Sequence, residues 1–490
     1  MRRTVAALLG AVLIGASAGG CKDFLNEEDV AQDPNNPTKA TRDQLLISAQ
    51  TALFGLEESG VAQTACMWMQ QCAGTGGRFV EQRGTNYQRL TSDYNNDFSQ
   101  LYIGAGLVDL RKIQANADAA GDKVYVGVAK VLEAFLIGFG ADAWGNIPYS
   151  EAAGTNGSPK FDNQLEVYAA LQTLLSSAIT DLDGAGNGPG AFDLVYGGDK
   201  AKWKAAAYTL KARYYMHTAE GPTRGTFVAE AYQNAITAAT SGIESAEGDF
   251  RAFHGPATSE RNIWYQFFTA SGFGNDLVAG ARLVDLMKAR NDPRLSAYFL
   301  PNELGDYGGL DVNTSTPANQ ISALNLEPEY RQPLLTWAEN QLILAEAKFQ
   351  TGGGAAAAEP HVNAVRQAVG LAPLAVGEVT LQSIMEEKYV ALFQNVEAWS
   401  DYRRTCFPVL DPAGRRRRYR GGCITGRRRR MRIRIRRRWR SRMRRMGGGI
   451  RTTRQPVRPS GHPERPVIPS VARDREHPDK GIVRRPTAEN

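Results

Sequence analysis

Between Arg415 and Met446 the chain carries eighteen arginines in thirty-two residues. That run confines any folded domain to the residues before it. It also splits the charge. Residues 411–490 hold 27 Lys/Arg against 6 Asp/Glu, a net of +21, whereas residues 1–410 hold 31 against 45, a net of −14. The whole-chain value of +7 describes neither part. Taken whole, the chain is basic and suggests a nucleic-acid partner. Taken in two parts, it is an acidic globular protein followed by a tail of foreign composition.

Three readings of the tail compete. An arginine arm would attract phosphates and gain affinity by counterion release. A charge run of this kind is also simply solvated and disordered. Out-of-frame translation of GC-rich DNA fits better, because 26 arginines accompany a single lysine, Lys480, and the apolar residues follow no period of 3.6 or 2. The genetic code permits a check. Shifting the frame beneath Tyr419–Thr425 allows Pro-Arg-Arg-Leu-Tyr-Tyr, and shifting it beneath Arg430–Arg436 allows Asn-Ala-Asn-Pro-Asn-Pro.

At the other end, Arg2 and Arg3 precede an apolar run from Val5 to Ile14 and small residues up to Cys21. This is the pattern of a secretory signal peptide over residues 1–20, too short to span a membrane comfortably. Ala18-Gly19-Gly20-Cys21 resembles a bacterial lipobox, so Cys21 is the expected lipidation site and acyl chains the expected anchor. No other segment is expected to span a membrane. The remaining cysteines, Cys66, Cys72, Cys406 and Cys423, are too few for a disulfide scaffold. Cys66 and Cys72 can pair if the chain turns between them; on one continuous helix they point to different faces and stay free.

Residues 21–410 read as one mainly α domain. Val124, Val128, Leu132, Phe135 and Phe139 recur at spacings of three and four, as do Trp203, Ala207, Leu210 and Tyr214, and then Leu335, Ala338, Leu342 and Ala345. Ile384, Tyr389, Leu392 and Phe393 mark a late stripe. Further helices are expected near 41–57, 98–118, 164–183, 225–241, 278–289 and 356–369. Helix pairs on short turns suggest a solenoid-like stack without a strict repeat. Long irregular stretches near 73–97, 142–162, 185–200, 243–277 and 291–333 are rich in aromatics, which argues for order and for a binding face.

Catalytic motifs are missing. In residues 21–410 no phosphate-binding Gly-Lys-Ser/Thr loop, His-Glu-x-x-His or Gly-x-Ser-x-Gly occurs, and the chain's five histidines stand alone without metal-ligand spacing. Asp142 and Glu151 could be imagined as a glycosidase pair, but read more simply as a loop capper and a helix-start acid. Glu386-Glu387 reads as a solvated helix face. Neither a metal nor a cofactor is expected.

The segment Phe139-Gly140-Ala141-Asp142-Ala143-Trp144-Gly145-Asn146-Ile147-Pro148-Tyr149-Ser150-Glu151-Ala152 is distinctive. A helix is expected to run out at Gly138/Gly140, and Pro148 imposes extended backbone after an aromatic-Gly turn. This segment resembles the signature of the SusD/RagB-like outer-membrane nutrient-binding lipoproteins. In the right order, so do Cys21-Lys22-Asp23-Phe24-Leu25, Lys202-Trp203 through Arg213-Tyr214-Tyr215, and Asp292-Pro293-Arg294-Leu295. Leu335 through Ala347 and Ile384 through Arg404 complete the set. The resemblance spans about 21–410. The family's closing segment is similar to the two shifted-frame strings, which implies a frame slip near Gly414–Arg418. On that reading the native last segment is missing, residues past about 414 are disordered and the late helices are poorly covered. Sequencing the gene there in a second isolate tests it; an unbroken frame that keeps the tail contradicts it.

The resemblance implies a TPR-like helix-pair scaffold with long irregular loops forming the binding face. It implies capture of an oligosaccharide or other nutrient at the cell surface, without catalysis, and delivery to a SusC-like TonB-dependent transporter. Aromatic rings would stack on sugar C–H faces and amides would bond hydroxyls. The loop sets 68–97 and 254–268 supply Trp68, Tyr87, Tyr94, Asn95, Asn96, Asn262, Trp264 and Tyr265 as candidates, although any one of these aromatics is commonly core. Asn86 lies beside them. Trp144 and Tyr149 read as scaffold. Two other classes remain: a surface glycan hydrolase, opposed by the lack of an acid/base pair, and a nucleic-acid binder acting through the tail, opposed by export.

Overall fold

Polar side chains placed immediately before apolar stripes fix where the helices start. The computed structural model describes residues 40–76, 92–154, 157–220, 227–270, 276–311 and 313–410. The signal peptide, Cys21, Asn86, Tyr87 and the arginine tail lie outside them. Thr41 caps α1 (Arg42–Glu57) in a reciprocal capping box with Gln44. Next come α2 (Gly60–Trp68), strand β1 (Cys72–Gly74), α3 (Asn95–Gln100) and α4 (Leu107–Ala119). Asp122 caps α5 (Lys123–Trp144), Asn163 caps α6 (Gln164–Leu182) and Asp199 caps α7 (Lys200–Thr218). The chain continues through α8 (Ala229–Ala239), β2 (Phe250–Arg251), α9 (Ile263–Ala270), β3 (Leu277–Ala279), α10 (Ala281–Ala289), α11 (Leu295–Tyr298) and β4 (Pro333–Leu335). Thr336 caps α12 (Trp337–Lys348), α13 is Gly354–Ala368, Thr380 caps α14 (Leu381–Ala391), and α15 is Glu397–Thr405.

Neighbours in sequence are neighbours in space: α4 packs on α5, α5 on α6, α6 on α7, and α7 on α8. The stack continues through α12, which meets α8, α13 and α14. This is the helix-pair scaffold the stripes predict. The first two stripes fall on α5 and α7; the third runs from Leu335 in β4 into α12, and the fourth begins in α14 and ends just past it at Leu392 and Phe393. Helix α5 is long and apolar enough to cross a membrane, with mean hydropathy 1.7, but 94% of that window is buried in the protein, so it is the core helix. Each Val, Leu or Phe buried there contributes about 1.5–3 kcal/mol.

Two glycines in α5 mark close helix approaches. A Cβ on Gly138 would lie 2.0 Å from the Tyr214 hydroxyl, and one on Gly127 would lie 2.7 Å from Leu182. Gly138 and Gly140 therefore do not end the helix, contrary to the sequence expectation. They let α7 and Leu101 approach it, and α5 continues to Trp144 before Gly145 turns with φ +81°.

Among the described residues, strands are few and join distant loops. β1 pairs antiparallel with β3 (Cys72 with Ala279, Gly74 with Leu277), and β2 pairs with β4. Cys66 and Cys72 form a disulfide with Cα atoms 5.3 Å apart. The pairing that sequence left open is possible because α2 ends at Trp68 and the chain turns at Gln70, whose φ is 56°.

The late helices are well covered, which overturns the expectation attached to the tail: Glu397, Ala398, Trp399, Ser400 and Asp401 are all buried. Glu387 is not on a solvated face either. It is 1% exposed and accepts from Arg290, Arg294 and Arg366. Asp292, also buried, lies between Arg290 and Arg294 at 2.6 and 2.7 Å. The Asp292-Pro293-Arg294 loop is thus one pole of an internal ion cluster, and α14 supplies the other.

Candidate functional site: the Glu58–Ser59 corner

Three consecutive residues at the end of α1 serve three different surroundings. Glu57 lines an enclosed cavity between helices, Glu58 holds the 252–263 loop, and Ser59 lines an open groove. The two loop sets singled out in the sequence meet at this corner.

Glu58 is fully buried. It accepts from His254 Nε2 at 2.8 Å, from Asn262 Nδ2 at 3.0 Å and from the Ile263 amide at 3.2 Å. Burial pushes its carboxyl up, and the bonds from His254 and Ile263 oppose that rise. Asn262 in turn accepts from the Tyr265 amide at 3.1 Å and donates to the Tyr330 carbonyl at 3.1 Å. One buried carboxylate therefore fixes the start of α9 and ties it to the 328–332 segment leading into β4, whose Gln332 carbonyl accepts from Ala252.

Outward from this anchor lies a face of paired aromatics and arginines. The Arg261 guanidinium stands 5.9 Å from the Tyr265 ring and the Arg331 guanidinium 4.8 Å from the Phe253 ring. Tyr330 is 47% exposed. Rings of this kind can stack on apolar C–H surfaces while the guanidinium forks donate to hydroxyls.

Inward from the same corner, Glu57, Asp142, Arg213, His217 and Glu397 surround a cavity of about 10 Å³, room for roughly one water. His217 Nε2 is 2.8 Å from Glu397, and Tyr168, Arg403 and Ser400 all donate to Asp142. Burial alone would push the Asp142 carboxyl up, but His217, Arg403 and the hydroxyl donors outweigh it and hold it below the ordinary range. Burial pushes the His217 imidazole down, but Asp142 and Glu397 outweigh it and hold it above its ordinary value. Burial pushes Glu57 up to about 8. Asp142, His217 and Glu397 lie close enough to ligate one cation. However, Arg403 at 2.8 Å from Asp142 and Arg213 at 3.7 Å from Glu397 already neutralise those carboxylates, so the donor set suits a buried ion network better than a metal. Asp142 thus lies buried within α5 rather than capping a loop, and His217 and His254 do not stand alone. Glu151 is exposed on a turn rather than at a helix start.

The sequence candidates divide sharply. Trp68 is buried edge-on to Trp399, with ring centroids 5.4 Å apart. Tyr94 is buried and donates to Thr64 at 2.7 Å. Asn262 and Trp264 are buried. These four are corrected to core or anchor residues: α2, α9 and the start of α3 turn the three rings inward, and Asn262 is held by Glu58. Asn95 is half-buried in α3, Asn96 is exposed at the groove, and Tyr265 lies half-buried on the aromatic face. Trp144 packs on Phe98 and Phe139, and Tyr149 donates to Glu133, as scaffold residues should. Phe253, Arg261, Tyr330 and Arg331 were not singled out from the sequence. The available signal was an aromatic beside an arginine in stretches already marked as ordered loops.

A family model described as "Starch-binding associating with outer membrane" (SusD-like) matches residues 34–425. Solved structures share the fold at low identity. A chitin-binding SusD homolog from Flavobacterium johnsoniae superposes with TM-score 0.62 at 20% identity, covering 75% of this chain and 88% of its own. A SusD/RagB family protein from Bacteroides thetaiotaomicron gives 0.58 at 19%, covering 77% and 90%. A SusD homolog from Bacteroides ovatus gives 0.60 at 21%, covering 75% and 87%. No curated protein sequence matches the chain.

Proposed function

Because the chain belongs to the SusD-like family of starch-binding proteins associating with the outer membrane, we propose that it captures an oligosaccharide or a related nutrient at the cell surface. We place it there by a lipid anchor on Cys21, and it passes the ligand to a SusC-like TonB-dependent transporter in the outer membrane. The observation that carries the reading is the aromatic–arginine face of Arg261, Tyr265, Tyr330, Arg331 and Phe253, fixed from beneath by buried Glu58. Such a face binds neutral, hydroxyl-rich ligands without needing a charge on them. Preorganisation by Glu58 reduces the ordering cost of binding.

Capture without cleavage is the chemistry that fits. A glycosidase needs one carboxyl that keeps its proton and a second at a set distance across the sugar. Asp142, one acid of the imagined pair, is buried and ion-paired, and Glu151 is exposed on a turn. Chitin binding by a structural relative and the family description make chitin and starch fragments the first ligands to try.

Affinity electrophoresis of the purified chain in gels containing starch, soluble chitin derivatives or other polysaccharides tests the reading. Retardation by at least one polysaccharide is expected, reduced by Tyr265→Ala and by Tyr330→Ala. Unretarded migration in every gel contradicts it. A TonB-dependent receptor encoded beside this gene is the expected partner, and co-purification from membranes is its test.

A further inference from the structure

The groove on the other side of the corner carries chemistry that the aromatic face does not use. It encloses about 260 Å³ between α1 and α3. Its floor is the side of α1 formed by Ala52, Gly55 and Leu56, and its rim is polar, with Asn96, Asp97 and Gln100. The rim has free bonding capacity. Among the described residues the Asn96 side-chain amide has no hydrogen-bond partner. Asp97 uses Oδ1 to accept from Ser59 at 2.7 Å, leaving Oδ2 open. Gln100 commits Nε2 to the Gly104 carbonyl, leaving its Oε1.

The floor is kept low by a glycine that the fold does not require. Gly55 lies inside the last turn of α1 and is absent from the positive-φ positions. A Cβ there would meet nothing within 4 Å. A helical glycine is destabilising relative to alanine, and nothing in the packing offsets that here. What the missing side chain leaves is open space above the floor.

We propose that this groove is a subsite for a single pyranose ring of a bound glycan. One C–H face of the sugar lies on Ala52, Gly55 and Leu56, and its hydroxyls bond to Asn96 and to Asp97 Oδ2. The volume supports one ring rather than a long chain, since pockets for drug-sized ligands enclose roughly 300–1,000 Å³. A carboxylate beside a free amide is suited to adjacent hydroxyls, the acid accepting and the amide donating or accepting. The subsite rests on the glycan reading above and extends it from the aromatic face to the far side of the Glu58–Ser59 corner.

The test uses the full chain carrying ¹³C-labelled alanine and leucine methyl groups, titrated with maltohexaose, chitohexaose and cellohexaose. For a hexaose that binds, the expected result is saturable shifts of the Ala52 and Leu56 methyl signals. Gly55→Leu, whose Cβ would meet nothing within 4 Å, and Asn96→Ala should each weaken that binding at least ten-fold while leaving the thermal midpoint at or above wild type. Binding that shifts other methyl groups but leaves Ala52 and Leu56 unmoved, with both variants within two-fold of wild type, overturns the subsite and leaves the glycan reading standing. Titrations that shift no methyl group with any hexaose overturn both.

Discussion

Glu57 shows how one buried residue can set the pH response of the molecule. Its carboxyl keeps its proton in the fold up to about pH 8, because burial pushes it up from 4.5 and the attraction of Arg213 does not compensate. Glu397, Asp142 and Glu339 add repulsion on the same side. Between pH 4.5 and about 8 the folded chain therefore binds a proton that the unfolded chain has released, so stability falls as pH rises across that window. His217 acts in the same direction, since its raised value contributes stability present below its ordinary 6.5 and lost above it. Asp292 acts oppositely. Burial pushes it up, but Arg294 and Arg290 lower it to about 2, so its contribution is present above 3.8 and lost as pH falls towards 2. The thermal midpoint should thus peak on the acid side of neutrality and decline towards pH 9. Glu57→Gln, which keeps the protonated shape, should flatten that decline, and a midpoint profile parallel to wild type would show that Glu57 is not its source. Asp292→Asn leaves Arg290, Arg294 and Arg366 facing Glu387 alone and should cost about 3–5 kcal/mol in denaturant melts.

At the scale of elements, two helical glycines should respond in opposite ways to the same substitution. Gly138→Ala places a methyl where the Tyr214 hydroxyl lies, and should destabilise by about 1–3 kcal/mol. Gly55→Ala meets nothing and should stabilise by about 0.5–1 kcal/mol. Equal effects in a thermal melt would contradict the packing described for α5 and α7. Reduction of the Cys66–Cys72 bridge opens only a short loop and should lower stability by about 2 kcal/mol, read as a downward shift of the midpoint in dithiothreitol. The helices themselves were legible in the sequence, because stripes such as Val124–Phe139 encode one buried face directly. The course of α5 past Gly138 was not, since a glycine at a close approach looks like a terminator until its partner Tyr214, on another helix, is known. Glu387 was misplaced for a similar reason: its arginine partners lie 93 and 97 residues away for Arg294 and Arg290, and local spacing contains no trace of them.

For the molecule as a whole, sequence order identified the family, but not which rings face outward. Trp68 and Trp264 lie in short helices and Tyr94 at the start of another, and only the packing of those helices on the stack turns the rings inward. Tyr265 and Asn96 kept their exposure because Glu58 and Ser59 pin their surroundings on either side of one corner. On the proposed reading the aromatic face takes uncharged, hydroxyl-rich ligands, so its affinity should vary little with salt between about 0.05 and 0.5 M. A phosphate-seeking protein would instead lose orders of magnitude over that range. The central claim is capture without chemistry, and the direct measurement is equilibrium dialysis of the protein against maltohexaose and chitohexaose, with mass spectrometry of what is recovered. Retention of at least one hexaose, returned at its original mass and with no new reducing ends, is the predicted result. Free equilibration of both, or recovery of shorter fragments, would contradict it.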